Sequence, residues 1–128
     1  MYVVIFREVN TILTLDRIYQ AAHNLNGVIR ETEIVPAHLL APGTPLYLKT
    51  ENLQITGSFK IRGSHFKISM LTEQEKSKGV IACSAGNHAQ GVALAAAKNH
   101  IQSTIFLPST APISKIEATR SYGAEIKL

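Results

Sequence analysis

At 128 residues the chain falls in the size range of one domain, and its 45% hydrophobic and 17% charged residues support a buried core and exclude a disordered chain. The formal net charge of +4 comes from scattered lysines and arginines. No run of five or six basic residues occurs, which argues against nucleic-acid binding and is compatible with small anionic ligands. A single cysteine, Cys83, excludes an internal disulfide and a cysteine-based metal site, and fits a reducing, cytoplasmic setting.

The apolar run Tyr2-Val3-Val4-Ile5-Phe6 is short, lacks a basic flank before it and is followed by Arg7-Glu8. It reads as neither a signal peptide nor a membrane span. Leu15, Ile18, Tyr19 and Ala22 recur at helical spacing, so a helix follows Thr14 as N-cap and ends at Asn26-Gly27. Pro36, Pro42, Gly43 and Pro45 mark an irregular connection. Leu46 to Lys49 reads as a short strand. Ser58 to Leu71 reads as a helix with Phe59, Phe66, Met70 and Leu71 near one face. Gly79 to Cys83 is expected to be a buried strand, and Asn87 to Asn99 an alanine-rich helix. A second buried strand is expected at Ser103 to Leu107, stopped by Pro108. A helix follows from Pro112 to Tyr122, closed by Gly123, and a last strand from Ala124 to Leu128.

Strands alternating with helices of this length predict an α/β fold, a parallel sheet with flanking helices built from right-handed βαβ units. The expected division is residues 1–43 as an N-terminal helix and connection packing on a second domain, and residues 44–128 as an incomplete α/β domain. Because the sequence stops within or just after a strand, the expectation is a piece of a larger protein.

Two segments carry candidate chemistry. Thr56-Gly57-Ser58-Phe59-Lys60 places a lysine amine beside a helix start. A lysine attacks an aldehyde only when neutral, and a helix N-terminus together with partial burial favours that form. Ser58 is a candidate cap, and Phe59 could cover one face of a flat ring. The plainer reading of Lys60 is a solvated surface charge. Ser84-Ala85-Gly86-Asn87-His88 opens the alanine-rich helix, and its free N–H groups suit a carboxylate or phosphate. The plainer reading here is a glycine turn with a helix cap. His88 reads as an orienting or packing group. His23, His38, His65 and His100 show no metal-ligand spacing and read as ordinary polar residues. Cys83 reads as a small hydrophobe.

Taken together, Lys49 to Gly63, Cys83 to Ala93 and Gly123-Ala124-Glu125 resemble the pyridoxal phosphate (PLP)-dependent serine/threonine dehydratases, which are fold-type-II enzymes. The resemblance runs from about Leu15 to Leu128. It implies that Lys60 holds PLP as a Schiff base and then acts as base at Cα. It further implies that Phe59 packs on the pyridine ring, Asn87 bonds the ring hydroxyl, and Ser84, Ala85, Gly86, Asn87 and His88 hold the substrate carboxylate. Related serine racemases tend to carry a serine where this chain has Ala85. Alanine cannot exchange a proton, so elimination is favoured over racemisation.

The implied reaction is deamination of L-threonine or L-serine to a 2-oxo acid and ammonia, in a homo-oligomer. The resemblance also raises a nucleotide effector near Thr56 and Gln90. The family's phosphate-binding loop and its partner for the pyridine nitrogen lie downstream of the matching segments. A non-catalytic remnant that binds a partner, and a serine racemase-like enzyme, are the competing readings.

Overall fold

Thr14 caps the first helix through its hydroxyl, which accepts from the Arg17 amide at 3.4 Å, and Leu15–Leu25 forms α1. Asn26 leaves the helix in extended backbone and Gly27 turns it at φ 70°. The structure, a computed structural model, describes residues 13–128. The expectation for Tyr2 to Phe6 therefore lies outside the described residues.

The irregular connection contains a strand that the sequence did not signal. Ile34–Pro36 forms β1 and pairs antiparallel with β2, Tyr47–Lys49. The register sets Val35 against Leu48 and crosses the expected boundary at 43/44. Next come α2 (Lys60–Ser69) and the one-turn α3 (Glu73–Lys76), opened by a reciprocal capping box between Thr72 and Glu75. The remainder alternates as expected: β3 (Val80–Cys83), α4 (Asn87–Lys98), β4 (Ser103–Phe106), α5 (Ile113–Ser121) and β5 (Glu125–Lys127). The three strands form a parallel sheet in the order β3-β4-β5, with Ala82 opposite Ile105 and Ile105 opposite Ile126.

The core lies between one face of this sheet and the helices. Ile105 is fully buried, and Val80, Ala82 and Ile126 pack around the same cluster as Ala89, Val92, Ala93 and Ile116. The expectation of buried strands holds for that face alone. Ile81 is 55% exposed and Phe106 43%, and Cys83 is also exposed. Strand side chains alternate between faces, so a helix layer on one side leaves every second residue outward. Cys83 is accordingly a surface thiol and not a core residue.

A second correction concerns α2. Phe59 and Met70 are exposed, and the buried positions are Ile61, Ser64, His65 and Ile68. That set has the i, i+3, i+4, i+7 spacing of one helix face, but two of its members are polar. The alanine-rich face of α4 is low enough for α2 to approach closely, and small polar groups are enclosed with the aliphatic ones. His65 is thus a buried residue: the Asn99 amide, which donates to the Ala95 carbonyl at 2.8 Å, lies 3.4 Å from His65 Nδ1. Burial, and behind it the charge of Lys98, lowers the His65 pKa.

Candidate active site

Lys60 is the first residue of α2, and what precedes it is held from three directions. Gly57 takes φ 68°, a left-handed conformation that glycine adopts without a Cβ penalty. The Ser58 hydroxyl accepts from the Lys60 amide at 3.4 Å, so Ser58 does serve the helix start, although Phe59 stands between it and the first helical residue. Gln54, buried, accepts from the Arg30 amide and donates to the Arg30 carbonyl, both at 2.8 Å. The Tyr122 hydroxyl donates to the Ile55 carbonyl at 3.3 Å and ties this segment to the end of α5.

The strongest electrostatic tie is between Glu51 and Arg62, one residue past Ile61 on the lysine-bearing helix. Arg62 grips the carboxylate with two parallel bonds, Nε to Oε2 at 2.9 Å and Nη2 to Oε1 at 2.7 Å. Bidentate pairs of this kind fix orientation as well as supplying energy. The Glu51 pKa is lowered to about 2, chiefly by the Arg62 hydrogen bonds, which outweigh the cost of burial, and further by the Thr32 hydroxyl. Lys49 Nζ donates to the Thr32 carbonyl and completes the cluster.

Lys60 itself is exposed, not partly buried as expected, and its ammonium lies 5.1 Å from the centre of the Phe59 ring. Both border a cavity of about 320 Å³ whose remaining walls are Gly63, Ser64, Lys67, Ile68 and His88. His88, on the second segment, is thereby brought to the lysine of the first. The other residues of that segment precede His88 in the turn from β3 into α4. Ser84 continues β3 and donates its amide to the Phe106 carbonyl at 3.1 Å. Its hydroxyl accepts from the Gly86 amide at 3.3 Å, making a tight turn into α4. Asn87 opens α4, and its Oδ1 accepts from Lys115 Nζ at 3.5 Å. The site thus lies beyond the carboxyl end of a parallel strand, where such sheets take ligands.

Thr56 and Gln90 are placed differently. Both are buried, and the Thr56 hydroxyl donates to the Ser58 carbonyl at 3.3 Å. Sequence reasoning missed Gly63, Ser64 and Lys67 as cavity walls and Lys115 as the partner of Asn87. Gly63, Ser64 and Lys67 recur three, four and seven residues after Lys60, and that spacing was the available signal. Nothing in the sequence links Lys115 to Asn87.

The lining chemistry suits a flat, anionic aldehyde. Among the described residues, two lysines and a histidine line the cavity with no carboxylate, an aromatic ring stands beside the amine, and an amide side chain opens the helix that carries His88. These residues fit PLP. Residues 25–128 match the family described as pyridoxal-phosphate dependent enzyme, and the chain belongs to that family.

Among its relatives, it is 50% identical over 118 residues to the L-threonine ammonia-lyase of Thermotoga maritima, covering 91% of this chain and 29% of that protein. It is 46% identical over 120 residues to the catabolic L-threonine dehydratase TdcB of Staphylococcus aureus, covering 91% of this chain and 35% of the other. The chain therefore spans about a third of the length of these relatives. Similar solved structures include maize serine racemase (TM-score 0.83, 36% identity, 88% of this chain and 35% of that one). The processed form of threonine deaminase isoform 2 from Solanum lycopersicum is another (TM-score 0.77, 37% identity, 90% and 34%).

Proposed function

We propose that this chain supplies the lysine-bearing part of a PLP-dependent ammonia-lyase that converts L-threonine or L-serine to a 2-oxo acid and ammonia. The observation that carries the reading is the convergence of Lys60, Phe59 and His88 on one cavity, with Asn87 and the Ser84 turn immediately before His88 in the chain. PLP, when bound, supplies an electron sink for the carbanion formed at the amino acid's Cα.

The chain's own residues do the rest. Lys60 would hold the aldehyde carbon until the substrate's amino group displaces it, and the freed amine would then take the proton from Cα. Phe59 would cover one face of the ring. Because the Asn87 Oδ1 accepts from Lys115, its Nδ2 remains to donate to the ring oxygen. Because the Ser84 Oγ accepts from the Gly86 amide, its own proton remains for the substrate carboxylate, next to the first N–H groups of α4. Ala85 carries no exchangeable proton, which supports elimination over racemisation. Loss of water from the substrate's Cβ and hydrolysis of the resulting enamine balance the reaction.

The exposed apolar face of α1, with Leu15, Ile18 and Tyr19, supports a second domain packing on residues 1–43. Residues 44–128 then form an incomplete lysine-bearing α/β domain. The complete enzyme is a homo-oligomer in this reading, in the cytoplasm, where a single cysteine stays reduced. A nucleotide effector at Thr56 and Gln90 requires that these buried side chains be uncovered.

The test is borohydride reduction in the presence of PLP, followed by peptide mapping. The expected result is PLP fixed on the peptide containing Lys60. A label on Lys67, which lines the same cavity, refutes the assignment.

A further inference from the structure

Gly91 lies in the second turn of α4, buried, with no backbone reason to be glycine: its φ lies outside the left-handed region. Glycine is a poor helix former, and every other member of this stretch of α4 that faces the core carries a side chain. The reason lies across the helix crossing. A Cβ at position 91 would stand 3.0 Å from Ser64 Oγ, 3.1 Å from the Lys60 carbonyl carbon and 3.2 Å from the Ile61 nitrogen. Two of these three atoms form the peptide bond that joins Lys60 to Ile61. The bare backbone of α4 therefore rests on the backbone of the lysine residue itself.

That peptide has little room to retreat. The Ile61 side chain is fully buried, and Arg62 is clamped by Glu51. Gly91 also stands one turn from Asn87 and His88 on its own helix, so a single contact sets how far the start of α4 lies from Lys60. The Ser64 hydroxyl, buried and without a hydrogen-bond partner among the described residues, fills the rest of the contact. A hydroxyl can rotate away from a new methyl group. A peptide bond moves only with its helix.

We infer that Gly91 is a positioning residue. Its missing side chain fixes the spacing between the Lys60 amine and the Asn87-His88 end of α4, through backbone contact and not through Ser64. The inference rests on the reading that both ends serve one ligand.

The experiment compares the parent chain with Gly91→Ala, Ser64→Ala and the double variant. Each is scored by thermal unfolding, by hydrogen exchange of residues 58–64 without cofactor, and by the ratio of Lys60 to Lys67 labelling after PLP and borohydride. Gly91→Ala should fold, exchange faster at the Lys60 and Ile61 amides, and lower the labelling ratio about tenfold, since about 1.4 kcal/mol of lost positioning corresponds to that factor. The double variant, compared with Ser64→Ala as its own reference, should show the same change in exchange and ratio that Gly91→Ala shows against the parent.

A folded Gly91→Ala with unchanged exchange and ratio overturns the inference. So does full rescue by Ser64→Ala, which would mean the hydroxyl was the only obstacle. Should Gly91→Ala not fold, a double variant that folds with the exchange and ratio of Ser64→Ala overturns the inference, and one that stays unfolded while Ser64→Ala folds supports the backbone contact. Absence of label on Lys60 in the parent chain would defeat the proposed function, while the exchange comparison would still decide the role of Gly91.

Discussion

Replacing Glu51 by glutamine keeps the size of the side chain and removes the charge that Arg62 grips. The folded carboxyl titrates at about 2 against an ordinary value of 4.5. A group with a lowered folded pKa contributes stability above its unfolded pKa, and that contribution is lost as pH falls toward the folded value. The full shift would correspond to about 3 kcal/mol at neutral pH. The Arg62 side chain is 32% exposed and that of Glu51 15%, so solvent screening reduces the expected figure to about 1–2 kcal/mol.

Urea unfolding at pH 7 should thus show Glu51→Gln less stable by about 1–2 kcal/mol. Acidification through 4.5 toward 2 should shrink the gap, to under about half its value by pH 3, because the parent chain loses what the variant never had. Equal stabilities at pH 7, or a gap that stays constant down to pH 3, would refute the reasoning. The first result would mean that the pair is screened to nothing, and the second that the cost is one of packing and not of charge.

The remaining expectations concern the core, a buried histidine and the open sheet face. Ile105→Ala empties the centre of the sheet's covered face and should cost about 2–4 kcal/mol in urea unfolding; a loss under about 1 kcal/mol would place this residue outside the core. His65 has a lowered folded pKa, so the unfolded chain takes up its proton first and stability should decline as pH drops below about 6.5. His65→Gln should flatten that part of the stability profile, and an unchanged slope would rule the histidine out as its source. Cys83, at the exposed end of β3, should react with a disulfide reagent in native buffer at a rate within about tenfold of the urea-unfolded chain. Strong protection would show that the face is covered.

Local chemistry in the sequence was enough to define most elements. Thr14 and Gly123 bracket helices through a cap and a left-handed turn, the alanines of α4 favour helix by themselves, and alternation of strands and helices selects a parallel sheet. These are short-range effects, decided within a few residues. The two candidate segments were also legible, because a glycine turn before a helix is written in consecutive residues. What the sequence could not determine was which side of each element meets another. Ile81 and Phe106 are as apolar as any core residue, yet they face outward because α4 and α5 cover only the other side of the sheet.

Ser64 and His65 are polar, yet they are enclosed because α4 presents a low surface that brings α2 close. β1 was hidden for the same reason: three residues carry little pattern, and their pairing with Tyr47–Lys49 is a long-range event. The meeting of Lys60 with His88, the clamp of Glu51 on Arg62 and the seat of Gly91 on the Lys60 peptide all join residues from different elements. Such contacts depend on the distance and angle between packed helices, which only tertiary structure fixes.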